Sequence, residues 1–81
     1  MKTVISVQPL ENYKLLLVFD NGENRIGDIK PLLTKPVFAF LEDTTYFNSV
    51  YLEYGAVTWK DYNGNEIDIC PDKLYMDSLP A

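Results

Sequence analysis

The stretch from Tyr13 to Ile29 constrains this chain more than any other. Tyr13-Lys14-Leu15-Leu16-Leu17-Val18-Phe19 is a strand pattern, Asp20-Asn21-Gly22-Glu23 supplies residues that tolerate positive φ, and Asn24 to Ile29 resumes a polar/apolar alternation. Together they predict a β-hairpin. Tyr13, Leu15, Leu17 and Phe19 share one face, while Leu16 and Val18 make the opposite face apolar as well, the pattern of a central strand or of one that faces an interface. Two turns fit Asn21-Gly22: a two-residue type I′ turn, or a three-residue loop with Gly22 at a bulge. They differ by one residue of register, so the facing of Arg25 stays open at this level.

The remaining segments fit around that hairpin. Thr3-Val4-Ile5-Ser6-Val7-Gln8 is β-branched and nearly alternating, and Pro9 after it marks an edge or near-edge strand. Pro31 and Pro36 bracket Leu32-Leu33-Thr34-Lys35, and Pro36 suits the first position of a short helix through Glu42, with Val37, Phe40 and Leu41 on one face and Phe47 beyond it as an inward anchor. Val50–Tyr54 and Ala56–Lys60 read as two strands joined tightly at Gly55, and Glu66–Cys70 as a last short strand after the turn at Asp61–Asn65. Pro71 then opens a terminal helical turn through Leu74, Tyr75 and Met76. The expected fold is α+β: a small antiparallel sheet of about five to six strands, covered by a short helix in the middle, with a short C-terminal helical turn.

A chain of 81 residues has room for one core, so residues 1–81 form a single domain. Small cores are often supplemented by disulfides or a metal, but there is one cysteine and no histidine, so stability is left to packing or to a partner. No apolar run is long enough to span a bilayer, and Met1-Lys2 leads straight into the first strand without a signal-like apolar region, which points to the cytoplasm. The net charge of −5 repels phosphate backbones, and the seven basic residues are scattered, so direct nucleic-acid binding is not expected.

Each chemically suggestive motif has a plainer explanation. Asp68 and Asp72 sit four apart around Pro71, a pairing that acid/base catalysis or Mg²⁺ and Ca²⁺ coordination would use; a capping use of Asp72, just after Pro71, at the exposed N–H groups and positive end of the helix is the better reading. Residues Asp61 to Asp68 lack the spaced ligand triad and closing Glu of a calcium loop. Cys70 has no histidine to activate it and is expected to be buried and inert to alkylation. The glycines at 22, 27, 55 and 64 are isolated, so no phosphate cradle is present. No cofactor is expected. Trp59 belongs by default to the core, whereas Tyr54 and Tyr62 lie beside turns and are the first candidates, with Tyr75, for a protein interface.

The order of signals also resembles a known family. Pro9-Leu10, the apolar strand ending in Phe19, Asn21-Gly22, Asp28, the apolar helix, Phe47 and the closing Trp59…Asn63-Gly64…Ile67-Asp68-Ile69-Cys70-Pro71-Asp72-Lys73-Leu74-Tyr75 are similar to the bacterial domain-of-unknown-function family 2442. The similarity covers essentially the whole chain, and its most specific part is the closing pattern. One departure is that Lys60-Asp61-Tyr62 and Asn65-Glu66-Ile67 lengthen the turn between Trp59 and Asp68, so a role for that turn carries over least. The resemblance implies a compact α+β domain. Some family members carry an appended helix-turn-helix, and others are encoded beside a small partner in an arrangement similar to a toxin–antitoxin pair.

Three functions follow as expectations. The first is a non-catalytic protein–protein interaction module, the antitoxin-like member of such a pair, binding a small protein partner or a second copy of itself. Its motives are the two-sided apolar strand at 13–19, the surplus of tyrosines, the acidic charge and the family's gene arrangement. The second is a DNA-regulatory accessory domain that dimerises or senses beside a DNA-binding partner. The third, least supported, is a metal-dependent hydrolase using Asp68, Asp72 and Asp28.

Overall fold

The computed structural model describes residues 1–81 and shows an α+β fold. Seven strands divide between two antiparallel sheets: β1 (Val4–Leu10), β2 (Lys14–Phe19), β3 (Asn24–Asp28) and β7 (Leu79–Pro80) in one, and β4 (Tyr51–Glu53), β5 (Ala56–Lys60) and β6 (Glu66–Ile69) in the other. The helices are α1 (Thr44–Phe47) and α2 (Pro71–Asp77). The expected strands are present, joined by β7. They form two sheets because the segment from Ile29 to Val50 intervenes between the first three strands and β4.

The hairpin at Asn21-Gly22 takes the three-residue form. The Phe19 amide donates to the Glu23 carbonyl at 3.0 Å, the Gly22 amide donates to the Phe19 carbonyl at 2.9 Å, and Gly22 sits at φ +86°. Leu17 therefore pairs with Arg25, and Leu16 with Ile26. As the sequence pattern requires, Leu15, Leu17 and Phe19 are fully buried, and β2 is central, between β1 and β3. β1 runs on through Pro9 to Leu10, which an edge strand tolerates because the missing amide is needed on one side only.

Between the sheets the chain makes two 3₁₀ segments, Lys30–Thr34 and Pro36–Glu42, in place of the expected short helix. Lys35 is extended (φ −87°, ψ 133°), the conformation that a following proline imposes, and this separates the segments. A 3₁₀ repeat turns each residue by about 120° rather than 100°. Phe40 and Leu41 still reach the core, but Val37 is carried outward and is 51% exposed, a departure from the helical face expected for it.

Side chains from every part of the chain meet in one core of Val4, Leu15, Leu17, Phe19, Ile29, Phe40, Leu41, Phe47, Val57, Trp59, Ile69 and Leu74. Trp59 is its largest member, and its indole N–H donates to the Phe47 carbonyl at 3.0 Å, so the buried ring leaves no polar atom unpaired. Two local conformations fix how the layers meet. Tyr13 holds φ +60°, an unusual state for an aromatic residue, while its hydroxyl donates to the Glu42 carbonyl at 2.6 Å and its own carbonyl accepts from the Ile29 amide at 2.8 Å. Gly55, at φ +78°, closes a tight β4–β5 turn and accepts at its carbonyl from the Val4 amide at 2.9 Å, tying the two sheets together.

Candidate interaction surfaces

Alternation along β2 and β3 decides which side chains leave the core. Leu16 and Val18 face away from it, and their register partners Ile26 and Asn24 share that outer face. Across β1 the same face continues as Gln8 beside Leu16 and Ser6 beside Val18; across β7 it continues as Leu79 beside Ile26. Leu16, Val18 and Ile26 are only half-buried and Leu79 is 71% exposed. None of these four belongs to the core or to the partly buried residues packed against it. The face is therefore apolar at its centre, with Lys14 and Asp28 facing each other at one end and Ser6, Gln8 and Asn24 on the flanks.

The outer face of the other sheet has the opposite character. Tyr51 and Asp68 both oppose Thr58, Glu66 opposes Lys60, and Glu53 follows Tyr51 by two residues, so acids and a tyrosine line one side. The Tyr51 hydroxyl donates to Glu66 at 2.8 Å. That hydrogen bond, aided by lost solvation and the negative charges of Glu66 and Glu53, pushes the Tyr51 hydroxyl up to about 12.

Tyr54 and Tyr62 are exposed, as their positions beside turns suggest. Tyr54 is 99% exposed and takes φ +51° in the β4–β5 turn. Tyr62, 63% exposed, packs edge-on to Tyr46 with ring centres 4.6 Å apart and to Phe40 at 6.2 Å, forming an aromatic cluster at the surface. Trp59 is fully buried and offers nothing to a partner.

Tyr75 is half-buried and gathers residues distant in sequence. Its ring meets Phe19 edge-on at 5.0 Å, while the Lys2 ammonium and the Arg25 guanidinium lie 4.4 and 4.3 Å from its centre. Its hydroxyl donates to the Glu23 carboxylate. That hydrogen bond, then one from Asn21, then the charges of Arg25 and Lys2 outweigh the partial desolvation of Glu23 and hold its carboxyl below the usual range. Arg25, whose facing the sequence left open, donates to the Ser78 hydroxyl at 2.6 Å and the Ser78 carbonyl at 2.7 Å. The cluster clamps α2 onto the end of the β2–β3 hairpin. Sequence reading named Tyr75 but not its partners, because no local pattern links residues 2, 23, 25 and 75.

Two sequence expectations require correction. Asp72 stands in the first turn of α2, at the positive end of the helix as expected, but it makes no capping hydrogen bond: Cys70 holds the N-cap position without one, and Asp72 instead accepts from the Lys2 backbone amide at 2.6 Å. It latches the N-terminal segment to α2. Cys70 is exposed, not buried, because it follows the inward-facing Ile69 and so falls on the outer side with Asp68, where the chain turns into α2. Asp68 stands on the acidic sheet face with different neighbours from Asp72, and no three Asp, Glu or Cys side chains converge as metal ligands. No helix is long and apolar enough to cross a membrane.

An apolar groove of about 480 Å³ runs between β3, α2 and the first 3₁₀ segment. Ile29, Ile69 and Leu74 form its floor, with Asp28, Lys73 and Asp77 at the rim, where the Lys73 ammonium lies 2.7 Å from Asp77.

Comparison with known proteins places this geometry in a family. A family described as "Protein of unknown function (DUF2442)" matches residues 4–79, nearly the whole chain, and the chain belongs to it. No curated protein and no solved structure matches the chain.

Proposed function

We propose that this member of the DUF2442 family acts by association rather than by catalysis, as a protein–protein interaction module of the kind that the antitoxin-like partner in a small two-protein pair represents. The observation that carries this reading is the apolar outer face of the four-stranded sheet, where Leu16, Val18 and Ile26 lie together outside the core beside Leu79, which also borders the groove at α2. Leaving such side chains in water forgoes roughly 25 cal/mol for each Å² that burial would remove from solvent, a gain available to any protein surface that covers them. The exposed Tyr54 and Tyr62 and the acidic face around Glu53, Glu66 and Asp68 add surface of the type that discriminates between partners.

Native mass spectrometry of the protein recovered gently from its own cells tests the reading. The expected spectrum shows a stoichiometric protein complex, with a small partner or a second copy, that is lost in Leu16→Lys while the fold is retained. A bare monomer for the natural chain overturns it and redirects the search to ligands of the groove beside α2.

A further inference from the structure

We infer that the outer face of the four-stranded sheet is closed by a second copy of this chain, related to the first by a two-fold axis that runs along the strands between β2 and β3. The inference rests on reading that face as an interaction surface and adds its occupant.

The register of the hairpin makes the face self-complementary. Its outward residues stand opposite one another as Lys14 with Asp28, Leu16 with Ile26 and Val18 with Asn24. A two-fold axis between those strands exchanges the members of each pair. Lys14 then lies against Asp28 of the second copy, and Leu16 against Ile26 of the second copy, so each charge meets its opposite and the apolar centres meet. Ser6 and Gln8 on β1 come over the β7 side of the second copy, where Leu79 stands, and bring no charge to the contact.

Charge distribution selects this occupant over a partner recruited by opposite charge. The chain carries −5 in all, yet the ionic residues on this face are one lysine and one aspartate, which cancel. Glu53, Glu66 and Asp68 lie instead on the outer face of the other sheet. Two copies joined through the neutral face keep those carboxylates apart. A basic partner steered by charge is drawn to the other sheet.

The available area sets the strength. Strands about 4.8 Å apart and residues rising about 3.4 Å each give β1, β2 and β3 a footprint of about 14 by 17 Å, to which the short β7 adds a corner of about 5 by 7 Å. Side-chain relief raises this to roughly 400 Å² per copy, and the total of about 800 Å² falls below that of stable specific interfaces and within that of transient contacts. The dimer is accordingly of the weak, transient class, with a dissociation constant in roughly the micromolar range that packing quality rather than area sets, and exchanges rapidly. Its sheets pack about 10 Å apart with strand directions within about 30°.

Sedimentation of the full chain from about 1 to about 500 µM, a range spanning that constant, reads the equilibrium directly. The natural chain is expected to shift from monomer to dimer over this range. Lys14→Asp and Asp28→Lys alone each weaken dimerisation at least tenfold, because they set like charges against each other across the axis, and the double variant returns to within about threefold of the natural chain. Leu16→Lys abolishes dimerisation, and circular dichroism verifies that each variant is folded. A natural chain that stays monomeric throughout, or a dimer indifferent to Lys14→Asp and Leu16→Lys, overturns the inference. If the natural chain is monomeric but a different protein is retained from cells and lost with Leu16→Lys, the second copy is excluded while the surface reading stands. If Leu16→Lys changes neither assembly nor retention, both fail.

Discussion

Replacing Gly55 by alanine should separate the cost of a strained backbone from the cost of a crowded junction. Gly55 and Gly64 hold nearly the same conformation, φ +78° and +81°, so a methyl group at either position pays the left-handed backbone penalty of about 1–2 kcal/mol. At Gly64 nothing lies within 4 Å of the added carbon, and that penalty is the whole effect. At Gly55 the added carbon would lie 2.3 Å from Thr3 Cγ2 and 3.4 Å from Thr3 Cβ. Thr3 cannot retreat freely: its carbonyl accepts from the Asp20 amide at 2.8 Å, and the next residue's amide donates to the Gly55 carbonyl at 2.9 Å. Forcing a methyl group into such a contact adds roughly 1–3 kcal/mol, for a total of about 2–5 kcal/mol. A domain of this size is stable by only about 4–12 kcal/mol. Gly64→Ala should therefore lower the melting temperature by about 4–16 °C and Gly55→Ala by about 4–24 °C more than a backbone penalty alone would at the same site. Thr3→Ser removes the methyl group that clashes, so the double variant Thr3→Ser with Gly55→Ala should recover the steric part and retain the backbone part, a coupling of about 1–3 kcal/mol in urea titrations. Equal destabilisation by Gly55→Ala and Gly64→Ala, or no recovery in the double variant, would refute the claim that this close approach joins the sheets.

Four further outcomes follow from the structure. In a spectrophotometric titration Tyr51 should ionise near pH 12, and Glu66→Gln should bring it down; because its hydroxyl is raised in the folded state, the associated stability is complete below about pH 10 and is lost as pH rises through about 12. Glu23 has a lowered carboxyl, so its contribution is present above its ordinary value near 4.5 and is lost as pH falls through the folded value; Tyr75→Phe should move the Glu23 midpoint upward in a carbon-13 NMR titration, and an unchanged midpoint would remove the hydroxyl as the cause. Asp72→Ala should cost about 1–3 kcal/mol in denaturant melts by releasing the Lys2 amide, whereas Asp68→Ala should stay within about 0.5 kcal/mol, and the reverse order would contradict the placement of the latch. Cys70 should react with a thiol-specific reagent in the native state without prior unfolding, and protection until the chain melts would contradict its exposure.

Sequence reading reached the features that local chemistry controls. The β2–β3 hairpin was legible because Asn21-Gly22 sits between two alternating runs, and the burial of Leu15, Leu17, Phe19, Phe47 and Trp59 followed from period and hydrophobicity. Tyr54 and Tyr62 fall outside because they flank turns, and the apolar character of Leu16 and Val18 marks the strand read at 13–19, which forms as Lys14–Phe19, as central or interfacial.

What the sequence could not decide depended on distance along the chain or on small differences in turn geometry. Two turns fit Asn21-Gly22, and only the observed three-residue form pairs Leu16 with Ile26 and Lys14 with Asp28, assembling the apolar face and its charged end. For Cys70 hydrophobicity gives only an average burial, while the alternation that turns Ile69 inward turns its neighbour outward. For Asp72 helix position gives the first turn of α2 correctly but not the hydrogen-bond partner, Lys2, which lies 70 residues away. The Tyr75 cluster likewise joins the two ends of the chain through the β2–β3 hairpin. Pattern and propensity are properties of neighbours in sequence, so they determine which segments form strands and which side chains seek the core. Which strands meet, in what register, and which polar groups are left for one another are set when the whole chain closes, because only then do contacts compete for the same space.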